Sequence, residues 1–190
     1  MEKIIKIYQY DELSEESKER VRERNRIDLV DTETEMLNEY FIDILHTDHH
    51  YFKDLKFYWS LGYCQGDGLC FESDFDLGLY LKLHRPNLKQ SVHDIIFNNV
   101  HVEVKPKSSR YCYSSIEDVE ADFGYIKEDH CRLCKLVDDI VEDIQNLYIK
   151  ICKEFEVRGY KAYEYLGTDE FAKDNADING YEYDEEGNII

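Results

Sequence analysis

The chain has 190 residues, of which 43% are hydrophobic and 14% aromatic, and this predicts one domain over residues 1–190 with a sizeable core. The many aromatic side chains exclude a disordered protein, and no apolar run reaches the roughly 18 residues that a membrane helix needs. The formal net charge of -19 repels nucleic acid, so we expect no direct binding of DNA or RNA.

The cellular location follows from the first nine residues. They alternate apolar and polar side chains and contain no apolar signal core, so we expect the protein in the cytoplasm of the host cell. In that compartment cysteines stay reduced, and we expect thiols that mostly pack as small hydrophobic groups. The six cysteines are Cys64, Cys70, Cys112, Cys131, Cys134 and Cys152.

The N-terminal part predicts one strand and two helices. Apolar residues alternate over Ile4–Tyr10, which indicates a short strand. Ser14 is a good N-cap for a mostly exposed helix that runs to about Leu29. Thr32 and Glu35 match a capping box, so we expect a second, amphipathic helix to begin there.

The middle of the chain alternates in the way that strands do, and predicts an antiparallel meander with one face on the core. The polar stretch Arg85–Asn99 predicts a loop with a short helical turn around Val92–Phe97. The expected strands are Leu55–Tyr63, Leu69–Glu72, Leu77–Leu83, Val100–Val104 and Arg110–Ser114.

The C-terminal part holds the clearest helix. Apolar residues keep a helical period over Leu133–Phe155, and the helix is expected to continue past Gly159. Thr168 then caps a short helix, and Gly180–Ile189 predicts a terminal strand and tight turn. The fold class is therefore α+β: an antiparallel sheet (meander) packed against two or three amphipathic helices in a single domain.

A glycine-rich stretch between two predicted strands is a candidate ligand loop. Its glycines permit positive φ and expose backbone N–H groups that an anion can contact. A tight β-turn is the competing interpretation, and the missing Lys-Ser/Thr and helix exclude a phosphate loop. The loop residues are Gln65, Gly66, Asp67 and Gly68.

Two clusters have metal-ligating side chains without the spacing of a metal site. Cys131 and Cys134 form a CxxC, but no second ligand pair follows at zinc spacing. His46, His49 and His50 crowd a helix end, where histidine complements the helix dipole. We predict no metal and no cofactor, with metal binding by the cysteine pair as an open alternative.

Catalytic motifs are absent from the sequence. It contains no Gly-x-Ser-x-Gly, no His-Glu-x-x-His and no Walker motif. Paired carboxylates occur throughout such an acidic chain, so no pair indicates acid–base chemistry. We expect a binding protein and not an enzyme.

The acidic residues cluster before and along the long helix and in the C-terminal part. Such a surface attracts a basic partner, although a solvated surface without a specific role is the simpler alternative. The candidate partner-binding residues are Glu117, Asp118, Glu120, Asp122, Asp138, Asp139, Glu142, Asp143, Asp169, Glu170, Asp174, Asp184, Glu185 and Glu186.

Three short motifs carry a resemblance to a known group of proteins. They are Cys64–Glu72 (Cys-Gln-Gly-Asp-Gly-Leu-Cys-Phe-Glu), Leu13–Glu19 (Leu-Ser-Glu-Glu-Ser-Lys-Glu) and Tyr181–Gly187 (Tyr-Glu-Tyr-Asp-Glu-Glu-Gly). In these motifs and their order the chain resembles a family of small proteins encoded by phages and prophages. The resemblance implies a mobile-element origin and transfers no catalytic residues.

Charge, size and resemblance together predict an acidic inhibitor from a phage or mobile element. Its expected partner is a basic protein, such as a CRISPR effector or another nucleic-acid-binding defence enzyme, which it blocks in the manner of an anti-CRISPR protein by nucleic-acid mimicry. The alternatives are an antitoxin-like partner of a basic toxin and a small-ligand or metal-binding protein.

Overall fold

The computed structural model describes residues 6–61, 67–104, 119–122 and 131–190, with 119–122 and 131 described by their backbone alone. These residues group into two compact units. The terminal unit combines Met1–Leu37 with Arg158–Ile190, and the central unit is Asn38–Val157. The expectation of one domain over residues 1–190 stays a prediction.

The described elements are helices and strands, and the strands form one four-stranded sheet. Its strand order is β1-β2-β3-β4, and every neighbouring pair is antiparallel. The α+β class and the antiparallel meander are thus confirmed. The helices are α1 (Glu15–Asp48), α2 (Leu77–His84), α3 (Gln90–Asn99), α4 (Cys131–Leu166) and α5 (Asp169–Asn179), and the strands are β1 (Phe52–Ser60), β2 (Gly68–Phe75), β3 (His101–Val104) and β4 (Val119–Asp122).

Helix α1 runs without a break through the point where two helices were expected to meet. Ser14 precedes it as predicted, and its Oγ accepts a hydrogen bond from the Ser17 amide at 3.2 Å. The expected start at Thr32 is wrong, because no proline or glycine interrupts the stretch that separates the two predicted helices. Thr34 Oγ1 instead donates to the Val30 carbonyl at 2.7 Å, a contact within a continuous helix.

The strand predicted over Leu77–Leu83 is wrong, since these residues form helix α2. Asp76 caps this helix by accepting a hydrogen bond from the Leu79 amide at 2.9 Å. Leucine and lysine favour helices, and the segment has no β-branched residue. The predicted loop over Arg85–Asn99 is also wrong for most of its length, because α3 occupies Gln90–Asn99.

The core of the central unit lies between the sheet and the helices. The ring of Phe41, on α1, stacks on that of Phe155, on α4, with 4.0 Å between centroids. Phe71, on β2, contacts Tyr148, on α4, at 4.6 Å, and β1 adds Phe57 at 5.5 Å from Phe71. Amphipathic helices therefore pack against one face of the sheet, as predicted.

The terminal unit has a small core of its own, formed by Tyr10, Leu13, Val21, Ala172, Ala176 and Tyr183. The strand predicted over Ile4–Tyr10 is reduced, within the described residues, to a bridge between Tyr8 and Tyr183. Thr168 caps α5 as predicted, with its Oγ1 accepting from the Phe171 amide at 3.1 Å. Helix α4 continues through Gly159, also as predicted.

Candidate functional site

The candidate partner-binding residues fall in three regions of the fold. Glu117 and Asp118 lie outside the described residues. Glu120 and Asp122 belong to β4, and the four carboxylates from Asp138 to Asp143 belong to α4. The remaining six, from Asp169 to Glu186, lie in the terminal unit.

All four carboxylates on α4 are exposed to solvent. Asp138, Asp139 and Glu142 are exposed, and none of them has an ion-pair partner among the described residues. Asp143 differs, since it forms an ion pair with Arg85 at the end of α2. Positions four apart on a helix are about 6 Å apart along its axis, so these side chains form a compact acidic stripe.

Asp169 is engaged inside the terminal unit. Its Oδ1 accepts hydrogen bonds from Tyr10 Oη and from Arg22 Nη1, each at 2.6 Å. These donors lower the pKa of Asp169, and burial together with this carboxylate raises the pKa of Tyr10. Arg22 also pairs with Glu15 and Glu19, so its guanidinium joins α1 to the start of α5. Asp169 thereby stabilises the unit.

Asp184 organises the C-terminal turn. Its Oδ1 accepts from the Glu186 and Asn188 amides, each at 2.9 Å, and its Oδ2 accepts from the Asn188 side chain at 2.9 Å. These bonds, chiefly those from Asn188, lower the pKa of Asp184. The carboxylate is therefore a structural cap, while Glu185 and Glu186 remain exposed.

Side chains of helix α1 hold this turn by donating hydrogen bonds to the backbone carbonyls of the turn. Ser17 Oγ donates to the Glu185 carbonyl at 2.8 Å, and Arg24 Nη2 donates to the Gly187 carbonyl at 2.5 Å. Gly187 has φ +85, and a Cβ there would lie 2.8 Å from the Ser17 carbonyl oxygen. The basic side chains of α1 thus serve internal contacts, a role that its mixed-sign sequence does not reveal.

Three acidic residues occupy paired positions on neighbouring strands of the sheet. Asp74 on β2 is paired in register with Glu103 on β3, and Glu103 is paired with Glu120 on β4. Neighbouring strands lie about 4.8 Å apart, and like charges directly opposite each other destabilise a sheet. We call Asp74, Glu103 and Glu120 the acidic row. Sequence analysis identified Glu120 and missed the other two, because only strand register aligns them.

The acidic row borders a shallow groove of about 210 Å³. Asp54 enters the groove from a β-bulge, at a φ of 50° that is unusual outside glycine. Lys56 Nζ lies 3.4 Å from Glu72 Oε1, and His101 Nε2 lies 3.8 Å from Glu103 Oε1. The groove is lined by Asp54, Glu72, Ser73, Asp74, Glu103 and Val104, four of them carboxylates.

The candidate ligand loop is described only at its C-terminal end. Gln65 and Gly66 lie outside the described residues. Asp67 Oδ1 accepts a hydrogen bond from Ser60 Oγ at 2.6 Å, and Gly68 pairs with Ser60 at the start of β2. These contacts fit the connection of an antiparallel hairpin, and the binding of a ligand stays a prediction.

The metal-ligating clusters serve other contacts where they are described. No group of three His, Cys, Asp or Glu side chains in residues 6–61, 67–104 and 132–190 can hold a metal ion. His49 Nδ1 lies 2.8 Å from Tyr51 Oη, and burial is the main cause that lowers the pKa of His49. Cys134 and Cys152 are free thiols, and burial raises the pKa of Cys152.

Comparison with known proteins adds no relative. No protein-family model, no curated protein and no solved structure matches the chain. Among the described helices none is long and apolar enough to cross a membrane. The resemblance to phage and prophage proteins stays a prediction.

Proposed function

We propose that this protein is an acidic inhibitor that binds a basic protein partner through the acidic row and the groove beside it. The observation that supports this is the alignment of Asp74, Glu103 and Glu120 on three adjacent strands. A fold does not need this arrangement, since directly opposed like charges cost stability. A cationic partner surface would relieve that repulsion on binding.

The regular arrangement of the acidic row supports nucleic-acid mimicry. Its charges repeat on neighbouring strands about 4.8 Å apart, and a nucleic-acid strand also carries negative charges at regular intervals. The sheet backbone holds the acidic row in place, so binding costs less conformational entropy than ordering a flexible chain. The net charge of -19 would in addition steer a basic partner towards the protein.

The proposed partner is a nucleic-acid-binding enzyme of host defence, for which a CRISPR effector is the first case to test. Such an enzyme has a cationic channel for its guide–target duplex. The inhibitor would occupy that channel and exclude nucleic acid. Association should be fast at low salt and should weaken as salt rises, because charge complementarity acts mainly on encounter.

The test compares two triple variants that each remove three negative charges. Asp74→Asn/Glu103→Gln/Glu120→Gln changes the acidic row, and Glu170→Gln/Asp174→Asn/Asp177→Asn changes exposed positions of α5. Binding to purified CRISPR effectors is measured by calorimetry or interferometry, with and without guide RNA, at several salt concentrations.

We expect the change in the acidic row to weaken binding roughly 10-fold to 100-fold, from about 0.5–1 kcal/mol per exposed charge pair. The α5 variant should bind within about threefold of the wild type. If both variants weakened binding equally, net charge alone would explain the binding and the acidic row would have no specific role. Absence of binding to any effector at low salt would contradict the proposed target. Binding of a genetically linked basic toxin instead would favour the antitoxin alternative.

A further inference from the structure

The hairpin of α2 and α3, residues 77–99, is a basic segment in an otherwise acidic chain. It contains Lys82, Arg85 and Lys89 and a single acidic residue, Asp94, for a net charge of +2 against -19 for the whole chain. Lys82 and Lys89 are exposed. A local reversal of charge on so acidic a protein creates a surface that attracts carboxylates.

Apolar side chains lie exposed on the same hairpin. Leu83 is 49% exposed, and Phe97 is 56% exposed. Phe97 covers Gly78 so closely that a Cβ on Gly78 would lie 2.9 Å from its ring. One turn further along α2 from Gly78 stands Lys82, on the side of α2 that faces α3. The hairpin therefore presents cations beside uncovered apolar surface.

The acidic stripe of α4 adjoins this hairpin within the central unit. The ion pair between Arg85 and Asp143 joins the end of α2 to α4. Both charges also act on Tyr80, whose pKa is raised by burial and by Asp143 and lowered by Arg85. Residues 136–149 of α4 contain four acidic residues and no basic one. The basic hairpin and the acidic stripe thus adjoin at this ion pair, and charges of opposite sign meet on this face of the central unit.

We propose that this face binds the same face of a second copy of the chain in a twofold symmetric dimer. In such an interface the basic hairpin of each protomer meets the acidic stripe of the other, and every contact occurs twice. Phe97 would supply apolar contact between the two rows of ion pairs. A face with adjoining charges of opposite sign is complementary to itself under a twofold axis, which a uniformly acidic face is not.

This dimer is separate from the proposed binding of a basic partner. The hairpin and the α4 stripe share no residue with the acidic row, so either proposal can fail while the other holds. The dimer would present two acidic rows, one from each protomer. Two linked rows increase the effective concentration of the second contact wherever a partner offers two basic sites.

The test uses a charge swap on the full chain. Lys82→Glu/Lys89→Glu makes the hairpin acidic, and Asp139→Lys/Glu142→Lys places two lysines in the stripe, whose net charge becomes zero because Asp138 and Asp143 remain. Sedimentation equilibrium at about 0.15 M salt, which screens the repulsion between two chains of net charge -19, should show a wild-type dimer. The dissociation constants of the two variants should be raised roughly 100-fold, because each substituted side chain then faces a charge of its own sign. An equimolar mixture of the two variants should form a heterodimer with wild-type affinity, since both of its contacts are again complementary.

Two controls separate this effect from general charge and from folding. Lys161→Glu, an exposed lysine in the terminal unit, should leave the dimer unchanged. Circular dichroism checks each fold, and the neutral pair Lys82→Gln/Lys89→Gln replaces any reversal that unfolds the chain, with a roughly 10-fold loss of affinity expected. The proposal would be overturned by a monomeric wild type at about 100 μM or by a dimer that both swaps leave intact. It would equally be overturned by a mixture that stays monomeric or by a hairpin that binds only a different acidic protein.

Discussion

Replacing Tyr148 with phenylalanine removes one hydroxyl from the core of the central unit and leaves the aromatic ring. That hydroxyl donates to the Phe71 carbonyl oxygen at 2.7 Å and accepts from the Phe71 amide at 3.0 Å, and Tyr148 is 1% exposed. A buried polar group that loses its partner costs about 1–3 kcal/mol. With two backbone groups affected, we expect the free energy of unfolding to decrease by about 2–4 kcal/mol.

Urea unfolding followed by circular dichroism and by the fluorescence of Trp59 measures this change. The midpoint should fall while the slope with urea stays the same, and the thermal midpoint should decrease by roughly 5–15 °C. Tyr165→Phe, at a tyrosine that is 43% exposed, is the matched control and should stay within about 0.5 kcal/mol of wild type. If Tyr148→Phe lowered the free energy of unfolding no more than the Tyr165→Phe control does, the Tyr148 hydroxyl could not be the partner of both Phe71 backbone groups.

Three further comparisons use urea unfolding with a paired control. Gly187→Ala should destabilise by about 2 kcal/mol or more and Gly180→Ala by about 1 kcal/mol, because both glycines have positive φ but only Gly187 of the two lacks space for a Cβ. Equal losses would disprove the close contact between Gly187 and the Ser17 carbonyl oxygen. Thr168→Ala should cost about 1 kcal/mol because it removes an N-cap, whereas Thr32→Ala inside α1 should cost less than about 0.5 kcal/mol. A larger loss for Thr32→Ala would instead support the capping box that the sequence predicted at Thr32. The pKa of His49 is lowered chiefly by burial, so the unfolded chain takes up the proton more readily and stability falls as the pH drops through about 6.5. His49→Gln should reduce this loss of stability between about pH 7.5 and pH 5.5. An identical pH dependence in both proteins would contradict the burial of the neutral ring.

Errors in the predicted elements have local physical causes. Leu77–Leu83 alternates like a strand, but a leucine at every second position also fits a helix that is buried on more than one side. Only a short helical turn around Val92–Phe97 was predicted within α3, because this polar helix buries a single side chain fully, Ile96, which leaves little apolar period to detect. The match at Thr32 and Glu35 shows that a capping box needs a preceding helix breaker to mark a boundary.

Features that depend on near neighbours along the chain could be predicted from the amino-acid sequence. The N-caps at Ser14 and Thr168 and the apolar period of α4 involve residues three or four apart, and each is present in the structure. The acidity of the surface is likewise a matter of composition. What composition does not specify is which carboxylates are engaged and which are presented to solvent.

Only the tertiary structure decided how the charges are used. Asp74 and Glu103 are 29 positions apart, and strand register alone brings them opposite each other. Asp169 meets Arg22 through the packing of α5 on the start of the chain, so a predicted contact residue became a structural one. A one-residue shift in register would send a strand's side chains to the other face of the sheet, and local patterns carry no information about such long-range pairing.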